Sequence, residues 1–157
     1  METTRAYQQS VSGLESHLGY WLRRVSNRVS GGFARVLQAR QTSVAEWVLL
    51  REVYEREEAT PGELAEALTM TRGAISKIVD KLEAKGWIES RVKREDNRVQ
   101  LLSVTRRGER VLPELGEFAD RNDEEFFGCL DSGERATLRQ LLEKLAGFHE
   151  IRDVPVE

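Results

Sequence analysis

WIESRVKREDNRVQLLSVT, residues 87–105, decides the fold. Its ends, WIESRV and VQLLSV, are short and rich in Trp, Ile, Val and Leu, and between them Lys93 to Arg98 holds five charged side chains in six positions. Two β-prone runs bracketing a polar turn predict a β-hairpin. A turn carrying both signs of charge either meets a charged neighbour or is simply solvated. The segments around it separate these readings.

Immediately upstream, Thr60-Pro61-Gly62-Glu63 predicts a capping box with proline at the first helical position, opening a short helix PGELAEAL. Thr69-Met70-Thr71 makes a tight connection. A further helix runs from about Arg72 to Lys85 and stops at Gly86, the residue type preferred just past a helix end. Two helices joined by a short turn and followed by a hairpin predict a winged helix-turn-helix. In the second helix Ile75, Ile78, Val79 and Leu82 share one side; Arg72, Gly73, Ser76, Lys77, Asp80 and Lys81 share the other. Arg72, Ser76 and Lys77 lie towards the N-terminal end, the end that enters a major groove in helix-turn-helix proteins. Gly73 leaves backbone room there, and Thr71 can cap the helix and offer its hydroxyl to a phosphate, helped by the helix dipole. An amphipathic helix with a solvated mixed-charge face is the plain alternative.

The charge distribution favours the first reading. The net charge is −3, yet Arg72 to Arg110 carries 11 Lys/Arg against 6 Asp/Glu, a local +5 that leaves −8 on the rest. A basic face on an acidic body suits an anionic polymer, because steering follows local potential.

Further out, Leu14, Leu18, Trp21, Leu22, Val25 and Val29 fall at helical spacing and predict one long helix over 13–40, kinked at Gly31-Gly32. Ser43 caps a helix over about 44–57. Thr105 caps one over 106–129, bent near Pro113 and Gly116, and Asp131 with Glu134 caps the last. The apolar residues of the first helix (Leu14, Leu18, Leu22) and of the last (Leu138, Leu141, Leu142, Leu145, Phe148) exceed what one small core covers and predict a second chain; filling the monomer's own core is the alternative. The expected organisation is a flexible tail over 1–12 and a single domain over 13–149. Within that domain, 42–105 form a reading head and 13–40 and 106–149 form dimerisation helices; a frayed tail follows over 150–157.

Other classes find little support. No apolar run reaches the roughly 20 residues of a membrane-spanning helix. The first residues lack a signal peptide's apolar core, and the lone cysteine, Cys129, suits a reducing compartment. A cytoplasmic protein is expected. His17 and His149, the only histidines, sit at no metal-ligand spacing, and no phosphate loop or nucleophile–base pair appears. No enzyme, cofactor or metal is expected.

With these residues in view, TRGAISKIVDKLEAKGWIESRVKREDNRVQLLSVTRRG, residues 71–108, resembles the core of the multiple-antibiotic-resistance regulator (MarR) family of bacterial transcription factors. The resemblance rests on the wing element Asp96-Asn97-Arg98, the strand Val99 to Val104, and Thr105-Arg106-Arg107-Gly108, with a matching helix order from about 13 to 149. It implies a mainly α fold with a small β-hairpin wing, dimerised through long N- and C-terminal helices, and a homodimeric repressor on a pseudo-palindromic double-stranded DNA operator. It places Arg98 in the minor groove, which is narrow and negative and admits a slim strand pair. Asp96 would pre-orient Arg98 or brace the turn's own amides, and Lys93 and Arg94 would neutralise phosphates. Members of the family respond to small aromatic or phenolic anions. The corresponding territory here is His17, Tyr20, Trp21, Arg24, Trp47 and Arg51, readable equally as core aromatics beside surface arginines. Two rival readings are a redox-responsive regulator acting through Cys129, otherwise a buried small hydrophobe, and a winged-helix protein-interaction module that binds no DNA.

Overall fold

The computed structural model describes residues 12–93 and 96–156. The expected N-terminal tail lies, apart from Ser12, outside the described residues. A single 3-10 turn, Leu14–Ser16, leads into α1 (Leu18–Ala39), α2 (Val44–Arg56), α3 (Pro61–Ala67) and α4 (Arg72–Ala84). The hairpin β1 (Ile88–Lys93) and β2 (Asp96–Val104) follows, and α5 (Arg106–Phe127) and α6 (Ser132–Phe148) close the chain. Mainly α with a small β wing is the observed class.

Helix starts follow the chemistry read from the sequence. Ser43, Thr60 and Asp131 each accept the N–H of a glutamate three residues on, and that glutamate's carboxylate accepts the cap residue's own N–H. Thr71 and Thr105 cap α4 and α5 by accepting the N–H of Ala74 and Gly108. Helix ends share another device. After α1, α3, α4 and α6 the chain passes through a left-handed residue: Gln41, Thr69, Gly86 and Glu150. In each case the next N–H reaches back to a carbonyl five residues earlier, as from Ile151 to Ala146 at 2.9 Å, the Schellman arrangement. Only Gly86 adopts this conformation freely. Thr69, β-branched at φ 52°, holds it against a cost of about 1–3 kcal/mol.

The core lies in the reading head, where Leu49, Leu50, Leu64, Ile75, Leu82 and Leu102 are almost completely buried. Leu37 of α1 and Leu115 of α5 reach into the same cluster. The antiparallel register runs from Ile88 opposite Val104 to Val92 opposite Gln100, with an irregularity between Val92 and Lys93. Ala59, between α2 and α3, adds a third strip by exchanging both backbone hydrogen bonds with Leu102, at 3.0 and 2.8 Å.

Four expectations need correction. The first helix begins at Leu18, because His17 is extended and Leu14 belongs to the separate 3-10 turn. Gly31-Gly32 does not interrupt α1, which runs unbroken to Ala39. Gly32 instead marks where α5 comes close: a Cβ there would sit 2.7 Å from Asn122 Oδ1, and Asn122 Nδ2 donates to the Val29 carbonyl at 3.4 Å. The fifth helix stops at Phe127 rather than 129, and Pro113 lies within it. The C-terminal tail is not frayed: Val154 and Val156 pack against the core, and Thr69 Oγ1 donates to Asp153 Oδ1 at 3.2 Å.

Candidate nucleic-acid interface

The amphipathic split of α4 holds: Ile75, Ile78, Val79 and Leu82 are buried, while Arg72, Gly73, Ser76, Lys77, Asp80 and Lys81 are exposed. Thr71 caps the helix, its Oγ1 accepting the Ala74 N–H at 3.2 Å, which leaves its O–H to donate. The hydroxyl therefore fixes the first turn of α4. A Cβ on Gly73 would meet nothing within 4 Å on the protein side, so the backbone there is open to a neighbour from solvent. The helix thus shows a cationic end with a bare stretch of main chain beside it.

The wing stands on the same head. Arg98 is exposed, and Asp96 Oδ1 accepts the Arg98 backbone N–H at 3.0 Å. Of the two roles open to Asp96, the structure shows the second: the carboxylate braces the main chain of the turn and leaves the Arg98 guanidinium to solvent. The wing is tied to the body at mid-length and at its root. Arg91 pairs with Glu58, and Thr105 Oγ1 donates to the Gly86 carbonyl at 2.6 Å while accepting from Gly108. Lys93 is placed as the last residue of β1. The expected phosphate contact of Arg94 lies outside the described residues.

A second polar group supports the head from behind. Glu46, 4% exposed, accepts the Ser43 N–H at 2.7 Å and the Lys85 ammonium at 3.1 Å. Lys85 also donates to the Gln41 carbonyl and stacks over Trp87 at 4.7 Å. It therefore links the end of α1, the start of α2 and the foot of the wing.

The apolar residues predicted for a partner chain are exposed in the single chain: Leu18 is 87% and Phe148 81% accessible, and Leu14, Leu22, Leu138, Leu141, Leu142 and Leu145 are exposed as well. No residue of α6 is buried. What holds α6 to α5 at their junction is Arg135, whose guanidinium donates to both oxygens of Glu124 at 2.8 and 3.0 Å. Those hydrogen bonds and the arginine's charge hold the Glu124 carboxyl below its ordinary range.

The residues expected around a small anion fall in two places. Tyr20, Trp21 and Arg24 cluster on α1, with Arg24 over the Trp21 ring at 5.5 Å and Trp21 Nε1 donating to the Glu15 carbonyl; His17 immediately precedes that helix and makes no side-chain capping bond to it. Trp47 and Arg51 sit on α2, the guanidinium 6.0 Å from the indole and paired with Glu55. Trp47 instead shares a cleft of about 230 Å³ between α1, α2 and α5 with Val29, Phe33, Val44, Asn122 and Pro155. Its Nε1 is buried without a hydrogen-bond partner among the described residues. Sequence periodicity had no means of finding this cleft, whose walls are spread over the chain from Val29 to Pro155. Cys129 is exposed at the α5–α6 connection, not buried, because a short connection between two helices leaves its side chain in solvent.

The sequence model of the MarR family matches residues 42–99, the head and most of the wing. An uncharacterised helix-turn-helix-type transcriptional regulator of Bacillus cereus is 30% identical over 146 residues, spanning 87% of this chain and 93% of its own. A cysteine-to-serine mutant of Escherichia coli MarR, solved with operator DNA, superimposes with a TM-score of 0.70 at 26% identity, over 82% of this chain and 92% of that one. Bordetella bronchiseptica BpsR, at 20% identity, shares the fold with a TM-score of 0.74 over 87% of this chain and 98% of that one.

Proposed function

The chain belongs to the MarR family of transcriptional regulators, and on that premise we propose that it works in the cytoplasm as a homodimeric, effector-responsive repressor of a pseudo-palindromic operator. Its winged helix is a DNA-binding element and it is a regulator rather than an enzyme. The observation that carries the proposal is the pairing, on one rigid head, of the exposed Arg72–Ser76–Lys77 face with an exposed Arg98 whose backbone is braced by Asp96. In this reading α4 enters a major groove, with Lys81 and the Gly73 main chain against phosphates. Arg98 enters the neighbouring minor groove, where a cation gains from the narrow negative slot. Two such heads at fixed spacing give the specificity that one small head lacks, and the exposed leucines of α1 and α6 are the surface that would join them.

Repression follows from occupying a promoter, and release from a small molecule that resets the spacing of the heads. The cleft between α1, α2 and α5 lies where the long helices meet the head, and its orphaned indole N–H calls for an acceptor. BpsR, which shares the fold, has its DNA binding regulated by 6-hydroxynicotinic acid, an aromatic acid. That precedent supports a ligand of similar chemistry here.

The test is footprinting and fluorescence anisotropy on the DNA upstream of the protein's own gene, with wild type and Arg98→Ala. Arg98→Ala is expected to weaken binding at least tenfold with unchanged circular dichroism and unchanged mass in solution. Equal affinity of the two proteins removes the wing from the mechanism. Absence of any salt-dependent duplex binding turns the reading towards a protein-interaction module.

A further inference from the structure

The segment after α6 does something that neither DNA binding nor dimerisation requires. Glu150, at φ 52°, reverses the chain through the Schellman turn, with Glu150 N–H to the Gly147 carbonyl at 3.3 Å and Ile151 N–H to that of Ala146 at 2.9 Å. The reversal is therefore a built structure, and it aims the following residues back at the body. Three consecutive anchors follow. Asp153 Oδ1 accepts from Thr69 Oγ1 at 3.2 Å. Val154 and Val156 are half-buried against the core cluster. Pro155 lines the cleft between α1, α2 and α5, beside Trp47 and Asn122.

The two ends of this contact matter for different reasons. Thr69 is the left-handed residue in the turn between α3 and α4, so the tail touches the joint that sets the helix-turn-helix angle. A hydrogen bond to its side chain helps hold a conformation that a β-branched residue otherwise avoids. The cleft lies at the junction of the long helices with the head. An alternating Val-Pro-Val segment suits a wall, because valines at alternate positions of an extended chain face one way, here towards the core, and leave the proline between them to the cleft.

We propose that Asp153–Val156 is an intramolecular occupant of one side of the α1–α2–α5 cleft, where Pro155 forms a wall and leaves about 230 Å³ open, so that it competes for room there with a small aromatic acid and is hooked at its near end to the helix-turn-helix joint through Thr69. The competition rests on the reading of this cleft as the effector site; the occupancy does not. Entry of an acid and departure of Pro155 are then one event, and leaving the cleft also frees the Asp153–Thr69 contact. The acid's apparent affinity is reduced by the fraction of time that the tail is in place.

Val154→Asp/Val156→Asp in the full chain ejects the tail by making its burial unfavourable, while α1 to α6 keep their contacts. Acrylamide quenching of tryptophan fluorescence reads the cleft, with a Trp47→Phe background as control. Calorimetric titration with benzoate reads ligand access. The expected result is a Trp47 quenching constant at least doubled, a change absent in the control background, and benzoate binding at least fivefold tighter than in wild type. Unchanged quenching overturns the proposal. Equal benzoate affinity in both proteins overturns the competition. Increased quenching with benzoate bound by neither protein upholds the tail as occupant and overturns the effector reading of the cleft. Asp153→Ala, which leaves the valines in place, is expected to keep the quenching low and so separates the hook from the wall.

Discussion

Gly108 offers a test in which two ordinary effects have opposite signs. It lies in the first turn of α5, and alanine is favoured over glycine inside a helix by about 1 kcal/mol. Propensity alone therefore makes Gly108→Ala stabilising. The structure reverses the sign. A Cβ there would lie 2.1 Å from the Trp87 carbonyl oxygen and 2.7 Å from Val104 Cγ1, where packed atoms need about 3.5 Å. The obstacle is main chain and already accepts the Thr105 N–H at 2.9 Å, so relief requires α5 and the foot of the wing to separate by roughly 1 Å, judged against that packing distance. Overpacking of this kind costs about 1–3 kcal/mol, and the strained hydrogen bond adds about 1 kcal/mol. After the helix gain, a net loss of about 1–3 kcal/mol remains, or roughly 3–10 °C in Tm for a domain of this size. Gly116 is the internal control: it lies in the same helix with nothing within 4 Å of its missing Cβ. Gly116→Ala is expected to raise Tm by about 2–4 °C. Thermal melts followed by far-UV circular dichroism compare the two. Shifts of the same sign refute the reasoning, because propensity would then outweigh the measured approach.

Lys77→Ala should lower the slope of log affinity against log salt by about one, since each phosphate contact releases about one counterion; an unchanged slope assigns Lys77 to solvent or to a base edge. Leu142→Glu/Leu145→Glu should give a particle of one-chain mass in sedimentation velocity and at least tenfold weaker operator binding, whereas a persistent dimer would move the interface elsewhere. Lys85→Met leaves the carboxylate of Glu46, 4% exposed, without its cation. A loss of about 2 kcal/mol is expected in urea titration, below the full figure for a buried pair because the lysine is partly exposed, and a change within error would mean that the Ser43 cap alone satisfies Glu46. Because Arg135 lowers the folded pKa of Glu124, the pair's contribution is present above the ordinary carboxylate range and lost as pH falls through the lowered value. The Tm difference between wild type and Glu124→Gln should therefore shrink on acidification, and a difference that grows instead would contradict that sign.

How much of this was legible in advance depended on whether the determining chemistry was local. Capping side chains act within one turn, so Ser43, Thr60, Thr71, Thr105 and Asp131 marked helix starts well. Gly86 marked the end of α4, closed by a glycine in the left-handed conformation. Gln41, Thr69 and Glu150 close theirs in the same left-handed conformation without a glycine to announce it, and Glu150 sends the tail inward where fraying was expected. The two faces of α4 were readable because amphipathic spacing is a property of the helix itself. The cleft was not, because tertiary packing brings together Val29, Trp47, Asn122 and Pro155. Gly31-Gly32 shows a further limit: glycine's low helix propensity suggested a break, whereas packing used the missing side chain of Gly32 to admit Asn122.

Ala59 lies where the connection from α2 to α3 meets the wing. Its two backbone hydrogen bonds to Leu102, joined by the Arg91–Glu58 pair, clamp the hairpin at mid-length. The irregularity beyond Val92 leaves the distal end outside that clamp. The hairpin is therefore fastened to the body near Leu102 rather than only at its ends. On the proposed reading, the groove-facing Arg98 and the exposed face of α4 are then presented from one body at a fixed offset.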